Sequence, residues 1–265
     1  MSNIQFKNIG RAFERDGKTV NIIEGFELTV RDKEFVAIVG PSGCGKTTCM
    51  RMAAGLDFPT SGTLLVSEKP VTHPGPERAV VFQQFALFPW KSVYDNIDFG
   101  LRAKNLAQEK RHAIITHYIG LMNLKGYESA YPHQLSGGMQ QRVAIARAYA
   151  LDPDVLLMDE PFGALDAQTR VVMQEELVKL ARTNPRTVLF ITHAVEEAVY
   201  LADRVVIMAA RPGRVKEILD IKTVREAEHW DQHARIEDVM DLDSFVHLRT
   251  RIWKSLREEH AGVEL

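Results

Sequence analysis

The stretch with the clearest chemistry is a glycine-rich segment, GPSGCGKTT, at residues 40–48. It fits the pattern G-x-x-x-x-G-K-[ST] between an apolar run and a helical one, a context that distinguishes a phosphate loop from an ordinary tight turn. Its glycines let backbone N–H groups approach an anion, Lys46 can reach phosphate oxygens, and the Thr47 hydroxyl can ligate Mg²⁺. The residues expected to contact a nucleotide here are Gly40, Pro41, Ser42, Gly43, Cys44, Gly45, Lys46, Thr47 and Thr48.

An acidic pair follows a second apolar run, VLLMDE, at residues 155–160. The run predicts a buried strand that delivers Asp159 at its carboxyl end, where sheets of this kind bind ligands. Asp159 would hold Mg²⁺ through water, and Glu160 can orient or deprotonate an attacking water molecule. Taken alone, such a pair more often forms a turn or a helix cap. Together with a phosphate loop it favours phosphoanhydride hydrolysis.

Three further polar residues stand where the pattern predicts the edge of the same sheet. Gln83 ends one strand, His193 follows another, and Asp166 comes shortly after Glu160. Each would usually be a hydrogen-bonded structural residue. Several of them near the ends of strands in a nucleotide-binding sheet favour a shared site.

A second glycine-rich helix start, LSGGMQQ, occupies residues 135–141. A serine and two glycines at the N-terminus of a helix form a good anion-binding site, or anion seat, because free N–H groups and the positive end of the helix dipole point outward. The chain already has a complete phosphate loop, so the ligand of this second seat is an open question from the residues alone.

Strand and helix patterns alternate along the chain, with a helical region from about 84 to 150 between them. The predicted strands are 26–30, 35–40, 62–67, 78–83, 154–159, 187–192 and 204–209. The predicted helices are 45 to about 56, 93–103, 109–122, one opened by Gly137, and 166–182. This order favours an α/β fold with a mostly parallel sheet, flanking helices and an α-helical lobe.

The composition excludes several classes of protein. The 265 residues include 33 basic and 35 acidic side chains and are 45% hydrophobic, so nothing indicates a nucleic-acid surface. No apolar run approaches the length of a transmembrane helix, and the first ten residues lack the features of a signal peptide. Two cysteines, Cys44 and Cys49, are too few for a disulfide framework. We expect a soluble, cytosolic chain that works at a membrane only as a peripheral protein.

Residues from about 4 to 221 resemble the nucleotide-binding subunits of ABC transporters. The resemblance is carried by the ordered series GPSGCGKTT, VFQQ, LSGGMQQRVAIARA, LLMDEP, GALD and ITH. It implies an ATPase that uses ATP and Mg²⁺, with a P-loop NTPase (RecA-like) core, an antiparallel β subdomain and an inserted α-helical subdomain. The domains implied are an ABC ATPase domain at 1–221, with the helical subdomain at about 84–150, and a short C-terminal extension at 222–265.

The resemblance also implies roles for the matching residues. Gln83 would link Mg²⁺ and water to the transport partner, and His193 would contact the γ-phosphate. Phe13 lies where the family has the aromatic residue that stacks on adenine, although a core aromatic would look the same. The implied catalytic residues are Glu160, His193, Gln83 and Lys46, the implied metal ligands are Thr47, Gln83 and Asp159, and Asp166 is a further nucleotide-contacting residue.

The resemblance answers the question of the second anion seat. In this family two subunits pack head to tail, and the signature residues of one close on the nucleotide held by the other. Ser136, Gly137 and Gly138 would therefore contact the γ-phosphate seated by Lys46 of a second copy. Each dimer would bury two ATP molecules.

Within the family, four stretches look most like importers of nitrate, taurine, alkanesulfonates and similar small anions: FPWKSVYDNI, PFGALDAQTR, AVEEAVYLADRVVIM and ARPGRV. The partners implied are transmembrane permease subunits and, indirectly, an extracytoplasmic binding protein, with the chain at the cytoplasmic face of the inner membrane. Gln84 and Ala194 depart from the residues frequent at their positions. An exporter or lipid-trafficking ATPase is the alternative, and a soluble non-transport ABC ATPase is a more distant one.

Three local features carry further expectations. Phe88, Pro89 and Trp90 form an apolar corner that is either a packed loop or a socket for the permease. Residues 244–259 predict an amphipathic helix that packs on the core, or else contacts a second copy or a membrane surface. Cys44 stands at a helix N-terminus, where the dipole favours a thiolate, and the alternative is a buried inert thiol.

Overall fold

The computed structural model describes residues 2–15, 17–233 and 235–261. The outermost positions of the predicted ranges 1–221 and 222–265 therefore lie outside the described residues. The strands within the described part are β1 (Ile4–Arg15), β2 (Lys18–Val30), β3 (Phe35–Val39), β4 (Ser61–Val66), β5 (Lys69–Pro70), β6 (Arg78–Val81), β7 (Val155–Asp159), β8 (Thr187–Ile191), β9 (Arg204–Ala209) and β10 (Arg214–Asp220). Its α-helices are α1 (Lys46–Ala54), α2 (Val93–Ala103), α3 (Gln108–Leu121), α4 (Gly137–Ala150), α5 (Ala167–Thr183), α6 (Val195–Leu201), α7 (Lys222–Ala227), α8 (Ile236–Met240) and α9 (Asp243–Ala261).

A six-stranded sheet in the order β10-β9-β3-β8-β7-β6 forms the centre of the fold. All neighbouring pairs are parallel except β9 and β10. The five residues of β3 are all buried, as expected for a strand covered on both faces. The predicted α/β class with a mostly parallel sheet is confirmed. Because parallel strands end at the same edge, the segments after β3, β6, β7 and β8 meet there.

A second, antiparallel sheet in the order β2-β1-β4-β5 packs over α1 and one face of the central sheet. Its core includes Phe6 and Phe26, whose ring centroids lie 5.2 Å apart in an edge-on arrangement. The sequence pattern predicts two parts of this sheet, 26–30 at the end of β2 and 62–67 at β4, and does not reveal β1. Asn8 has φ 49° and the β1–β2 pairing shifts register between Phe6 and Ile9, which breaks the two-residue period.

Helices α2, α3 and α4 pack together as a helical lobe beside the sheet. The first helix begins at Val93, where the Ser92 side chain accepts a hydrogen bond from the Asp95 N–H and caps it. Residues 84–92 are irregular rather than helical. The buried amide of Asn96 holds this loop by donating to the carbonyl of Lys91 at 3.0 Å and accepting from the N–H of Phe88 at 2.9 Å.

The chain after residue 221 is mainly helical in its described part, and its longest element is α9. Phe245 and Ile252 on α9 are fully buried and Leu256 is nearly so, and the helix packs against α6 and β9. Lys216 of β10 adds an ion pair to Glu258 at 2.9 Å. The apolar stripe of this amphipathic helix thus faces the core. Among the described residues, no helix combines the length and the apolar character that crossing a membrane requires.

Candidate active site

The phosphate loop joins the carboxyl end of β3 to the N-terminus of α1. Gly45 caps the helix with φ 97°, and a Cβ on this residue would lie 2.7 Å from Cγ1 of Ile23, so only glycine fits. Lys46 is 5% exposed, and its Nζ donates to the carbonyls of Gly40 at 2.8 Å and Pro41 at 3.0 Å. The lysine is therefore folded against its own loop and can turn from these carbonyls toward an anion.

A cleft of about 350 Å³ opens over this loop. Its lining residues are Phe13, Ile22, Ser42, Gly43, Gly45, Lys46, Thr47, Thr48, Glu160 and His193. The Phe13 ring is 40% exposed, and the guanidinium carbon of Arg11 lies 4.2 Å from its centroid. Ile22 is a lining residue that the sequence did not single out, because its position in the irregular part of β2 carries no local signal.

Glu160 is the centre of a polar cluster at this edge of the sheet. Gln83 Nε2 donates to Glu160 Oε2 at 3.1 Å, and His193 Nε2 lies 2.5 Å from Glu160 Oε1. The backbone of Glu160 has φ 45° and its N–H donates to the carbonyl of Ile191 at 2.8 Å. Gln83 and His193, which the sequence placed on separate segments, therefore both contact the carboxylate of Glu160.

Asp159 and Thr47 form the second polar contact of the cleft. The Thr47 hydroxyl donates to Asp159 Oδ1 at 3.3 Å. Burial is the main cause that raises the pKa of Asp159, and neighbouring Glu160 adds to it, while the Thr47 hydroxyl and Lys46 act in the opposite direction. Among the described residues, no basic side chain forms an ion pair with Asp159. A cation bound beside it would favour its ionised form.

The donors available at Asp159 and Thr47 suit Mg²⁺ better than a softer metal, because both are hard oxygens. Within the described part of the chain, no group of three or more His, Cys, Asp or Glu side chains is placed to hold a metal by itself. Mg²⁺ usually takes one or two protein carboxylates and completes its shell with substrate phosphates and water.

The signature residues lie on a different part of the surface from the cleft lining. Ser136 caps α4 by accepting from the N–H of Met139 at 3.3 Å. Gly137 is exposed, and a Cβ there would make only ordinary contacts, the nearest at 3.8 Å. A Cβ on Gly138 would lie 2.4 Å from Cγ2 of Thr169, so this glycine lets α4 and α5 pack closely.

Asp166 caps α5 and is likewise apart from the cleft lining. Its Oδ1 accepts from the Thr169 N–H at 3.0 Å, and this bond is the main cause that lowers the pKa of Asp166. The local contact of Asp166 is thus that of a helix cap.

The expectation of a reactive thiolate at Cys44 is wrong. The residue is fully buried, and burial raises the pKa of its thiol, although Lys46 nearby lowers it. A Cβ on Gly40 would lie 2.8 Å from the Cys44 sulfur, so the thiol packs directly under the loop. Desolvation outweighs the helix dipole, and the alternative of an inert thiol filling a small space is the one that holds.

A phosphate loop at the end of β3, with acidic and polar residues at the ends of the neighbouring parallel strands, defines a P-loop ATPase. Residues 23–163 match the ABC transporter family. An uncharacterized ABC transporter ATP-binding protein of Methanocaldococcus jannaschii is 51% identical over 222 residues, which are 84% of this chain and 83% of the relative. The chain belongs to the ABC transporter family, as its ATP-binding, ATP-hydrolysing subunit.

Two further relatives have more specific names. The nitrate import ATP-binding protein of Synechocystis sp. is 43% identical over 226 residues, 85% of each chain. The taurine import ATP-binding protein of Pelagibacter ubique is 38% identical over 270 aligned positions, which span the full length of both chains. Among solved structures, a dimeric ATP-binding cassette in a post-hydrolysis state with ADP and Pi is similar with a TM-score of 0.72 and 28% identity, over 82% of this chain and 98% of that one. These matches confirm the resemblance and the P-loop NTPase fold.

Proposed function

We propose that this chain drives the uptake of a small anion, such as nitrate, taurine or an alkanesulfonate, through a partner permease at the cytoplasmic face of the inner membrane. The observation that carries the proposal is the match to a taurine import ATP-binding protein over the full length of both chains. The nitrate import relative supports the same class of cargo.

In this proposal the cleft binds ATP with its phosphates on the loop at 40–48 and its adenine against Phe13. Lys46 would turn from the carbonyls of Gly40 and Pro41 to the β- and γ-phosphate oxygens, which replaces two neutral acceptors with charged ones. Phe13 is suited to stacking because its ring is partly exposed and lines the same cleft.

Glu160 would orient the attacking water molecule and accept its proton. Its carboxylate is held by Gln83 and His193, so the orientation of the base depends on both neighbours. His193 lines the cleft beside Lys46 and would contact the γ-phosphate. Gln83 follows β6 and leads into the irregular segment before the helical lobe, which supports a role in linking the base to the permease.

Thr47 and Asp159 would hold Mg²⁺ together with the nucleotide, and Gln83 would complete the protein ligands. When bound, the ion would neutralise developing charge on the phosphate oxygens. The residues themselves keep a hydroxyl and a carboxylate oxygen 3.3 Å apart, within reach of one small cation.

We further propose that two copies form an ATP sandwich. Ser136, Gly137 and Gly138 stand at a helix N-terminus outside the cleft of their own chain, which suits a role toward a nucleotide held by a second copy. Asp166 would contribute from the adjacent loop. The similar solved cassette described above is a dimer.

The helical lobe would be the permease side of the ATPase domain at 1–221, with 222–265 as an appended extension. Trp90 is 71% exposed, and Phe88 beside it packs against Phe99 with ring centroids 4.5 Å apart and ring planes tilted by 54°. An exposed aromatic corner in the segment that follows Gln83 suits a short helix of the permease.

The proposal is tested by purifying the chain with its membrane partners and reconstituting the complex in liposomes. We expect a permease and an extracytoplasmic binding protein to co-purify, and ATP-dependent uptake of nitrate or taurine to follow. The matched control is the complex with Glu160→Gln, which should bind ATP without transport. A permease that moves its substrate outward, or a complex with no binding protein, would contradict the importer assignment and leave the ATPase in place.

A further inference from the structure

A buried glutamate on α6, Glu197, holds the loop that carries His193 in place. Glu197 is 5% exposed and accepts hydrogen bonds from Thr192 Oγ1 at 2.5 Å and from Gln174 Nε2 at 3.1 Å. The same Thr192 hydroxyl accepts from the N–H of Ala194 at 3.0 Å. Glu197 therefore holds, through one hydroxyl, the residues on both sides of His193.

The Oε1 atom of Glu197 faces α5 and, through Arg170, is linked to the loop before that helix. Arg170 Nε lies 3.9 Å from Glu197 Oε1, and Arg170 Nη2 donates to the carbonyl of Leu165 at 3.0 Å. Leu165 directly precedes Asp166, the cap of α5. One buried carboxylate thus joins the loop of His193 to the loop of Asp166.

A carboxylate in this position carries a cost that an apolar residue would avoid. Its neighbours on α6, Val195, Ala198 and Val199, are fully buried, and burial raises the pKa of Glu197 against the opposing effects of Thr192, Arg170 and Gln174. Burying such a group is unfavourable unless its hydrogen bonds are all made. Packing alone therefore does not explain a glutamate at 197, whereas the need to fix a loop does.

We propose that Glu197 is a positioning residue of the ATPase reaction. It fixes the position of His193 relative to Glu160 and links that position to the loop at 162–166. The inference rests on the proposed function, in which His193 contacts the γ-phosphate. The loop at 162–166 would face the second copy in the proposed sandwich. Through Glu197, binding of the second copy would therefore affect the position of His193.

The test compares variants of the purified full chain in steady-state ATP hydrolysis. Glu197→Ala removes the carboxylate, and Thr192→Val removes only the hydroxyl that connects it to the loop. Each should lower kcat by about 10- to 100-fold, the scale of a misplaced group in an active site. The KM for ATP should change by less than about threefold, because the phosphate loop is untouched. Glu197→Gln should restore part of kcat, since its amide oxygen can still accept from Thr192.

Glu34→Ala is the matched control for a lost buried glutamate. Glu34 is 9% exposed and is paired with Arg204 at 2.6 Å, at the opposite edge of the same sheet. This variant should lower the thermal unfolding temperature as Glu197→Ala does, yet keep the wild-type kcat of the folded protein. A purely structural role for Glu197 would make the two variants behave alike.

A double-mutant cycle with His193→Ala decides whether Glu197 acts through the histidine. We expect the double variant to have a kcat within about threefold of His193→Ala alone. Losses that multiply, or a wild-type kcat in Glu197→Ala, would overturn the inference while the proposed function stands. A wild-type kcat in His193→Ala would remove the role of the histidine and the inference with it. If Glu197→Ala does not fold, Thr192→Val and Glu197→Gln complete the same cycle.

Discussion

Glu160 is the residue that two other polar side chains of the site contact, and these contacts determine the orientation of its carboxylate. Gln83 and His193 approach its two carboxylate oxygens from different segments. The sequence predicted all three as site residues, because each follows a strand of a parallel sheet. It could not predict that they would meet on one carboxylate, since that depends on strand order and on the left-handed backbone of Glu160.

Cys44 yields a prediction on thiol reactivity. Its pKa is raised above the ordinary value, so at pH 8 the folded chain holds a smaller thiolate fraction than the unfolded chain. We expect iodoacetamide to modify Cys44 at least about tenfold more slowly in the folded protein than in guanidinium chloride, measured by mass spectrometry. MgATP should change this slow rate little. Rapid modification of the folded protein that MgATP prevents would restore the reactive-thiolate interpretation.

Among the helices and strands, the packing of α4 against α5 depends on a glycine. Gly138 allows α4 to lie against Thr169 of α5. Gly138→Ala should lower the free energy of unfolding by about 1–3 kcal/mol because of overpacking, measured by denaturant titration. Gly137→Ala is the control, since its Cβ would meet only ordinary contacts and stability should hold.

A second substitution, at Thr169, tests whether overpacking is the cause of the expected loss of stability. Thr169→Ser removes the methyl group that the new Cβ would meet, so it should restore most of the stability lost in Gly138→Ala. A Gly138→Ala variant as stable as wild type would show that the two helices do not need the close approach.

Helix α9 provides a test of how the C-terminal segment is held. Ile252 is fully buried against the core, and Ile252→Ala should cost about 2–5 kcal/mol of the free energy of unfolding. Lys254→Ala, two residues away on the exposed side, should change it by less than about 0.5 kcal/mol. Equal and small effects of both would mean that α9 is not part of the folded core.

Some elements were open to prediction and others were not, for physical reasons. The helix at 93–103 has an amphipathic period and the strand at 204–209 is a continuous apolar run, and the structure has both elements at those residues. Helix α6 has seven residues, most of them buried, so it shows no amphipathic pattern. The role of Glu197 was also hidden, because its partners lie 5 and 23 residues away on separate elements.

At the scale of the whole molecule, the proposal places one exposed surface against a permease. Trp90→Ala should keep basal ATP hydrolysis and lower ATP-dependent transport by about tenfold or more, because in the proposed complex this exposed side chain contacts the permease rather than the ATP site. Trp253→Ala is the control, as this tryptophan is also exposed but lies on α9. The measurements are ATPase activity in solution and uptake into liposomes. Equal loss of both activities in Trp90→Ala would argue that Trp90 supports the fold instead.

In the proposed ATP sandwich the signature at 135–141 completes a site on a second copy, and the solution mass of the Glu160→Gln variant shows whether that pair forms. Loss of the carboxylate should block hydrolysis and leave ATP bound, so the closed pair should accumulate. We predict twice the 29.9 kDa of a single chain with MgATP and the single-chain mass with MgADP, measured by light scattering. Ser136→Trp in the same background, which places a bulky group at the signature, should remain a single chain. A single-chain mass with MgATP, despite measured ATP binding, would contradict the claim.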